Sequence, residues 1–278
     1  MSFSLASKVF AVTGGASGMG AATCRLLAHK GASAMSIGDI NPKTFGSLRQ
    51  ELKEINPKIQ VQTRELNVID PEKVDRWVEG IVSELGDLHG AANVAGIPQP
   101  VGIRQSPNIA GGTNEMWKKS MGVNLDGIFY CNRAQVRSMI GLSSPSRSIV
   151  NIASLAAFHH TPDVFAYGVS KAVCSFLSTC VSNDVQNHNI RVNTVSPGKF
   201  SRIFEMADFN LLIAATNTPM LAQFVPNAST SEAVVAELAS RDVSMLEPAD
   251  IASTIVWLLS EESDKVSGAN IPVGYGIP

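Results

Sequence analysis

A doubly wound α/β domain with a parallel sheet is the fold class that this 278-residue sequence predicts. Three observations predict it. Short β-branched apolar runs alternate with longer runs of helical period, the pattern of strands covered by helices. A glycine-rich turn, Thr13-Gly14-Gly15-Ala16-Ser17-Gly18-Met19-Gly20, directly follows the first apolar run. An acidic residue, Asp39, closes the second run, roughly 20 residues beyond that turn, the distance at which a ribose-binding carboxylate is placed.

The elements follow in order. Strands are expected near Lys8–Thr13, Ala34–Asp39, Gln60–Leu66, Leu88–Val94, Arg147–Ala153, Ile190–Val195 and Ala269–Val273, which makes a seven-stranded parallel sheet. Helices are expected near Met19–His29, Phe45–Ile55, Pro71–Leu85, Asn114–Met139, Val164–Asn187 and Pro248–Leu259. Pro71 and Pro248 suit first helical turns, where the amide proton that proline lacks has no intrahelical partner. Two irregular stretches, Ile97 to Gly112 and Lys199 to Asn217, follow strands on the edge where open α/β sheets bind ligands. Residues 1–278 thus read as one domain, with substrate-side segments 97–112 and 199–247.

Composition narrows the function class. The chain is 45% hydrophobic and 17% charged, enough for one sizeable core, and its net charge of -2 offers no footprint for nucleic acid or an anionic membrane. No stretch approaches ~18 uncharged apolar residues, so no membrane span is expected. The N-terminus shows no leader pattern. The four cysteines, Cys24, Cys131, Cys174 and Cys180, lack metal or disulfide-framework spacing, which points to a reduced, cytoplasmic setting and no metal site. A small-molecule substrate is the expected partner.

The glycine turn lets the backbone approach a pyrophosphate, while the helix opening at Met19 offers amide donors and the positive end of its dipole. That makes the domain Rossmann-type. Asp39 can accept hydrogen bonds from ribose hydroxyls and repels a 2'-phosphate, and Ala16, Ser17 and Ile40 bring no cation, so NAD is the expected cofactor, with Lys43 the one nearby charge favouring NADP. Further along, Ser154 follows the strand Ile149-Val150-Asn151-Ile152-Ala153. Tyr167 and Lys171 stand four positions apart, on one face of a helix. A free phenol titrates near ~10, so a cation must favour the phenolate if tyrosine is to act as a base. Lys171 and an oxidised nicotinamide are the expected sources of that charge, with Ser154 holding the substrate oxygen.

Together these residues resemble the short-chain dehydrogenase/reductase family over nearly the whole chain. The glycine motif, Asn93-Val94-Ala95-Gly96 after the fourth strand, Asn124 in Val123-Asn124-Leu125, Ser154, the Tyr167/Lys171 pair and Pro197-Gly198 carry the resemblance. It implies Asn124, Ser154, Tyr167 and Lys171 as catalytic residues, with Tyr167 as acid/base, Lys171 also on the nicotinamide ribose, and Asn124 helping to hold a proton-relaying water. It implies cofactor contacts from Thr13, Gly14, Ser17, Gly18, Met19, Gly20, Asp39, Asn67, Val68, Asn93, Ala95, Gly96, Tyr167, Lys171, Pro197, Gly198 and Thr218. Asn93 is expected to be chiefly structural. Asn67 stands where the family carries aspartate beside adenine, and an amide oxygen is a weaker acceptor there. Homo-oligomers, dimer or tetramer, are a further implication, with the helices Asn114–Met139 and Val164–Asn187 as contact surfaces.

Stretches outside the catalytic motifs, such as Ala21–Ala28 and Thr254–Glu261, resemble a fungal alkaloid-forming group within that family. That narrower resemblance implies NAD-dependent oxidation of a primary allylic alcohol to its aldehyde. The alternatives are another NAD(P)-dependent alcohol dehydrogenase or ketoreductase, or a cofactor-binding protein impaired by extra chain. Phe158, His159, His160 and Phe165 read equally as a pocket wall for a flat substrate or as a loop packed on its own domain. Extra chain appears after Gly198: the family runs almost directly from Pro-Gly to Thr-Asn-Thr-Pro-Met, whereas here Lys199 to Ala215 intervenes before Thr216-Asn217-Thr218-Pro219-Met220. The segment reads either as an apolar lid or as a translated intron.

Overall fold

Short runs rich in β-branched and apolar residues become strands, the central ones buried on both faces. They are β1 (Val9–Thr13), β2 (Ala34–Asp39), β3 (Gln60–Glu65), β4 (Gly90–Asn93), β5 (Arg147–Ile152), β6 (Ile190–Pro197) and β7 (Asn270–Val273). The computed structural model describes residues 3–99, 107–142, 146–159, 162–198, 216–220, 230, 233, 235, 236 and 245–274. The strands form one parallel sheet in the order β3-β2-β1-β4-β5-β6-β7. β1, β5 and β6 are buried throughout, as central parallel strands must be, while β3 is more polar and more exposed at the edge.

The helices are α1 (Gly18–His29), α2 (Phe45–Ile55), α3 (Pro71–Leu85), α4 (Asn114–Met121), α5 (Gly127–Met139), α6 (Phe165–Val185) and α7 (Pro248–Leu259). Two-residue alternation along β1 divides the core. Phe10 and Val12 join Leu27 of α1, Leu52 of α2 and Ile255 of α7 on one face; Val9 and Ala11 join Val78 of α3, Cys131 of α5 and Val185 of α6 on the other. α3 shows how sequence sets an element. Asp70 accepts a hydrogen bond from the Lys73 amide at 3.1 Å, Pro71 opens the first turn, and Gly86 ends the helix at φ 84°. Val74, Trp77, Val78 and Ile81 are its buried stripe, each burial stabilising by roughly 1.5–3 kcal/mol.

One expected helix is interrupted. The run predicted from Asn114 to Met139 contains a wider π-helical turn, Gly122–Asp126, between α4 and α5. Hydrophobic period reports which face of a helix is apolar and not the size of its hydrogen-bonded rings, so it does not by itself mark such a turn. Its result is to bury Asn124 completely.

The register brings the carboxyl ends of the central strands level: Thr13 pairs with Asn93, and Asn93 with Asn151. β1 leads to β2 on one side while β4 lies on its other, so the order in which strands are added reverses between β1 and β4. A crevice opens outside those strand ends.

Candidate active site

The crevice is built first from the turn after β1. Thr13 Oγ1 accepts the Val94 and Ala95 amides at 3.1 and 3.3 Å, drawing the loop after β4 against the glycine turn. A Cβ at Gly14, where φ is 62°, would stand 2.8 Å from the Ala95 backbone; one at Gly20 would stand 2.1 Å from the Gly14 carbonyl oxygen. Only glycine permits both approaches. α1 then begins at Gly18 behind Ser17, whose side chain makes no cap hydrogen bond, so its first-turn amides carry no side-chain acceptor. That end faces a cavity of about 200 Å³ walled by Gly14, Ser17, Met19, Asp39, Asn67 and Gly96 among others.

Asp39 is held by the turn it serves. Its Oδ2 accepts the Ala16 amide at 3.0 Å and its Oδ1 the Asn41 amide at 2.9 Å. No lysine or arginine stands among the residues lining this cavity, Lys43 included. The Leu66 amide donates to the Asp39 carbonyl at 2.8 Å, which sets Asn67 and Val68 beside the carboxylate. Asn67 turns its Oδ1 back to the Ile69 amide at 3.3 Å, leaving Nδ2 as its second polar atom.

A second cavity, of about 40 Å³, shares Met19, Val94, Gly96, Ile97, Thr218 and Met220 with the first. The two adjoin. Its own walls are Ile152, Ala153, Ser154, Tyr167, Lys171, Pro197 and Thr216. Thr218 packs against the glycine turn, since a Cβ at Gly18 would lie 3.2 Å from its methyl group. Thr218 therefore reaches the crevice although extra residues precede it. Lys199 to Ala215 itself, with the lid and intron readings, lies outside the described residues.

At this second cavity Ser154, Tyr167 and Lys171 converge. Ser154 and Tyr167 are hydrogen-bonded, and Ser154 Oγ also accepts the Ala156 amide at 3.1 Å. Burial pushes the Tyr167 phenol up to about 12, against the lowering effect of the Ser154 bond. Burial likewise holds Lys171 below its usual range. Its Nζ donates to the Ile152 carbonyl at 2.8 Å and stands 5.7 Å from the Tyr167 ring centroid. Asn124 reaches the same place from the π-helical turn. A Cβ at Gly96 would lie 3.2 Å from Asn124 Oδ1 and 3.3 Å from Lys171 Nζ, so the glycine keeps the space between amide and ammonium clear.

Not every expected residue reaches a cavity wall. Thr13 acts from behind through its hydroxyl. Asn93 is fully buried, exchanging hydrogen bonds with Gln135 at 2.8 and 2.9 Å and donating to Asn151 Oδ1 at 2.9 Å. Gly198 sits just behind Pro197, its amide donating to the Val273 carbonyl at 3.0 Å. Phe158, His159 and Phe165 line neither cavity, and His160 lies outside the described residues. The sequence reading gave no wall role to Ile40, Val123 or Met220, whose apolar side chains carry no chemistry of their own, and it did not single out Gln99, which is taken up below. Among the described residues no three His, Cys, Asp or Glu side chains converge as metal ligands.

Comparison with known proteins fits this geometry. A family model described as short chain dehydrogenase matches residues 8–208. A chanoclavine-I dehydrogenase of Arthroderma otae is 51% identical over 278 residues, covering 99% of each chain. One of Penicillium roqueforti is 49% identical over 275 residues, again covering 99% of each. Among solved structures, levodione reductase superposes with a TM-score of 0.80 at 24% identity, over 97% of this chain and 96% of that one, a likeness of fold.

Proposed function

The chain belongs to the short-chain dehydrogenase family, and we propose that, as a single domain over residues 1–278, it oxidises chanoclavine-I to its aldehyde with NAD. The observation that carries the chemistry is the junction of the two cavities. Ser154, Tyr167 and Lys171 wall one, the glycine turn and Asp39 wall the other, and Thr218 borders both. The substrate assignment rests on near-full-length similarity to chanoclavine-I dehydrogenases.

Members of this family bind a nicotinamide cofactor, and the residues present suit one. The uncapped start of α1 and the close approaches at Gly14 and Gly20 fit a pyrophosphate. Asp39, with no cation in the cavity wall, supports NAD over NADP. Asn67 and Val68 would meet adenine, while Ala95, Gly96, Pro197, Gly198 and Thr218 would flank the nicotinamide half. When bound, the cofactor supplies the hydride acceptor.

The chain's own residues handle the proton. Ser154 orients the substrate hydroxyl against Tyr167, and Tyr167 accepts its proton as the carbonyl forms. A buried phenol pushed up to about 12 is a poor base, so positive charge at the cavity is essential, and Lys171, with its Nζ 5.7 Å from the ring centroid, is the residue placed to supply it. Asn124 fixes the loop over this space, and the clear volume at Gly96 between Asn124 and Lys171 suits a relayed proton.

Two further readings belong to the proposal. An exposed apolar row on α6, Val169, Val173 and Phe176, supports a homo-oligomer formed through the α5 and α6 surfaces. Four free cysteines support a reduced, cytoplasmic setting; no described helix is long and apolar enough to cross a membrane.

Purified protein given chanoclavine-I and NAD should form NADH, seen by its absorbance, and Tyr167→Phe should abolish the signal. Turnover of simple secondary alcohols with none of chanoclavine-I would overturn the substrate assignment.

A further inference from the structure

α6 carries Tyr167 in its first turn but opens without a cap of its own: Val164, the residue before it, has no side-chain acceptor. The first amides of a helix have no intrahelical partner, and here they are buried, so an acceptor must come from elsewhere. It comes from Gln99, 67 and 68 positions away in sequence. Gln99 Oε1 accepts the Ala166 amide at 2.8 Å and the Tyr167 amide at 3.2 Å, and the side chain is 3% exposed.

Gln99 belongs to a stretch that is fastened at several points. Val94 and Ala95 donate to Thr13, Ile97 exchanges two hydrogen bonds with Asn124, and Gln99 takes the start of α6. Val94, Gly96 and Ile97 in the same stretch line the cofactor cavity. We propose that Gln99 is a positioning residue: by capping the amide of Tyr167 itself, it fixes the height and direction of the phenol relative to the cofactor cleft. The inference rests on the functional reading above.

The geometry makes the acceptor oxygen the part that matters. Gln99→Leu removes it while keeping the volume close. Gln99→Glu keeps it and adds a negative charge beside the first turn, which raises the phenol's affinity for its proton.

The test measures kcat and KM for the alcohol, NADH binding by fluorescence, amide exchange at 166 and 167, and the pH profile of kcat. Gln99→Leu should lower kcat at least tenfold, hold KM and the NADH Kd within threefold, and speed exchange at those two amides more than elsewhere in α6. Gln99→Glu should restore the kcat plateau, with the acidic limb of its profile moved to higher pH, a shift that loss of a purely structural bond does not give. Unchanged kcat in Gln99→Leu, loss of NADH binding in parallel with kcat, or no rescue by Gln99→Glu would each overturn the proposal. Tyr167→Phe separates the two readings: if it turns over normally the functional reading fails, whereas full loss there with a normal Gln99→Leu enzyme defeats only the role of Gln99. If the wild type shows no turnover the functional reading also fails, and unchanged exchange at 166 and 167 in Gln99→Leu then overturns the tether.

Discussion

Asn124 pairs both backbone polar groups of Ile97: its Nδ2 donates to the Ile97 carbonyl and its Oδ1 accepts the Ile97 amide, each at 2.9 Å. Nδ2 also reaches Ser170 Oγ at 3.2 Å, and Ser170 in turn donates to the Tyr167 carbonyl at 2.7 Å. A side chain in this position works as a piece of backbone. It ties the cleft loop to the helix that carries the tyrosine.

Asn124→Leu should therefore loosen the cleft before it touches any chemistry. Each half-buried peptide group left unpartnered costs about 1–3 kcal/mol. Urea unfolding should show a loss of that order, and NADH should bind more weakly because Gly96 and Ile97 line its cavity. A variant with unchanged stability and unchanged NADH binding would show that the Ile97 contacts are incidental.

Ser154→Ala should alter the pH dependence as well as the rate. The Ser154 hydrogen bond lowers a Tyr167 phenol that burial raises to about 12. Without it the phenol holds its proton more tightly, the deprotonated fraction at a given pH falls, and the acidic limb of kcat for alcohol oxidation moves to higher pH. The expected loss at neutral pH is roughly 10²-fold or more. A rate loss with an unmoved limb would leave Ser154 as a substrate-binding group only.

Asp39→Asn should shift cofactor preference. The amide keeps an oxygen for one of the Ala16 and Asn41 amides but loses the charge that repels a 2'-phosphate. The ratio of NADPH to NADH affinity, measured by fluorescence titration, should rise by about tenfold, which is about 1.4 kcal/mol. An unchanged ratio would show that discrimination lies elsewhere.

His89 should make the fold sensitive to mild acid. Its Nδ1 accepts the Val9 amide at 3.1 Å. Burial, reinforced by Lys8 and Arg147 and opposed by Asp87, holds its pKa below the usual 6.5. The unfolded chain therefore binds this proton first as pH falls through 6.5, so the stability contributed above that pH is lost below it. His89→Gln keeps an acceptor for Val9 and removes the titration. Its urea midpoint should drop less than the wild type's between pH 7.5 and 5.5, and equal drops would clear His89 of the effect.

Much of this could be read from the chain alone. Strand runs such as Ala34–Asp39 and helices such as Pro71–Leu85 coincide with the structure, because period, proline and glycine are local signals. The gathering of the glycine turn and Asp39 at one cavity and of Ser154, Tyr167 and Lys171 at the adjoining one was equally legible, since residue type and spacing mark them. The π-helical turn at Gly122–Asp126 was not, because the apolar pattern does not report hydrogen-bond ring size. Nor was the backward-facing place of Thr13, which depends on what the loop after β4 offers, whereas the structural place of Asn93 was expected.

By itself, then, the sequence determined the order of elements, the seven-stranded parallel sheet and the residue types at the strand ends. Tertiary structure alone decided how those ends engage: Thr13 holds the next loop instead of lining the cleft, Asn124 stands in for a peptide partner, and Gln99 caps a helix that has no cap of its own. The physical reason is range. Propensity and period act over a few residues, whereas a buried amide takes whichever acceptor the packed chain brings to it, and that partner can lie anywhere in the sequence.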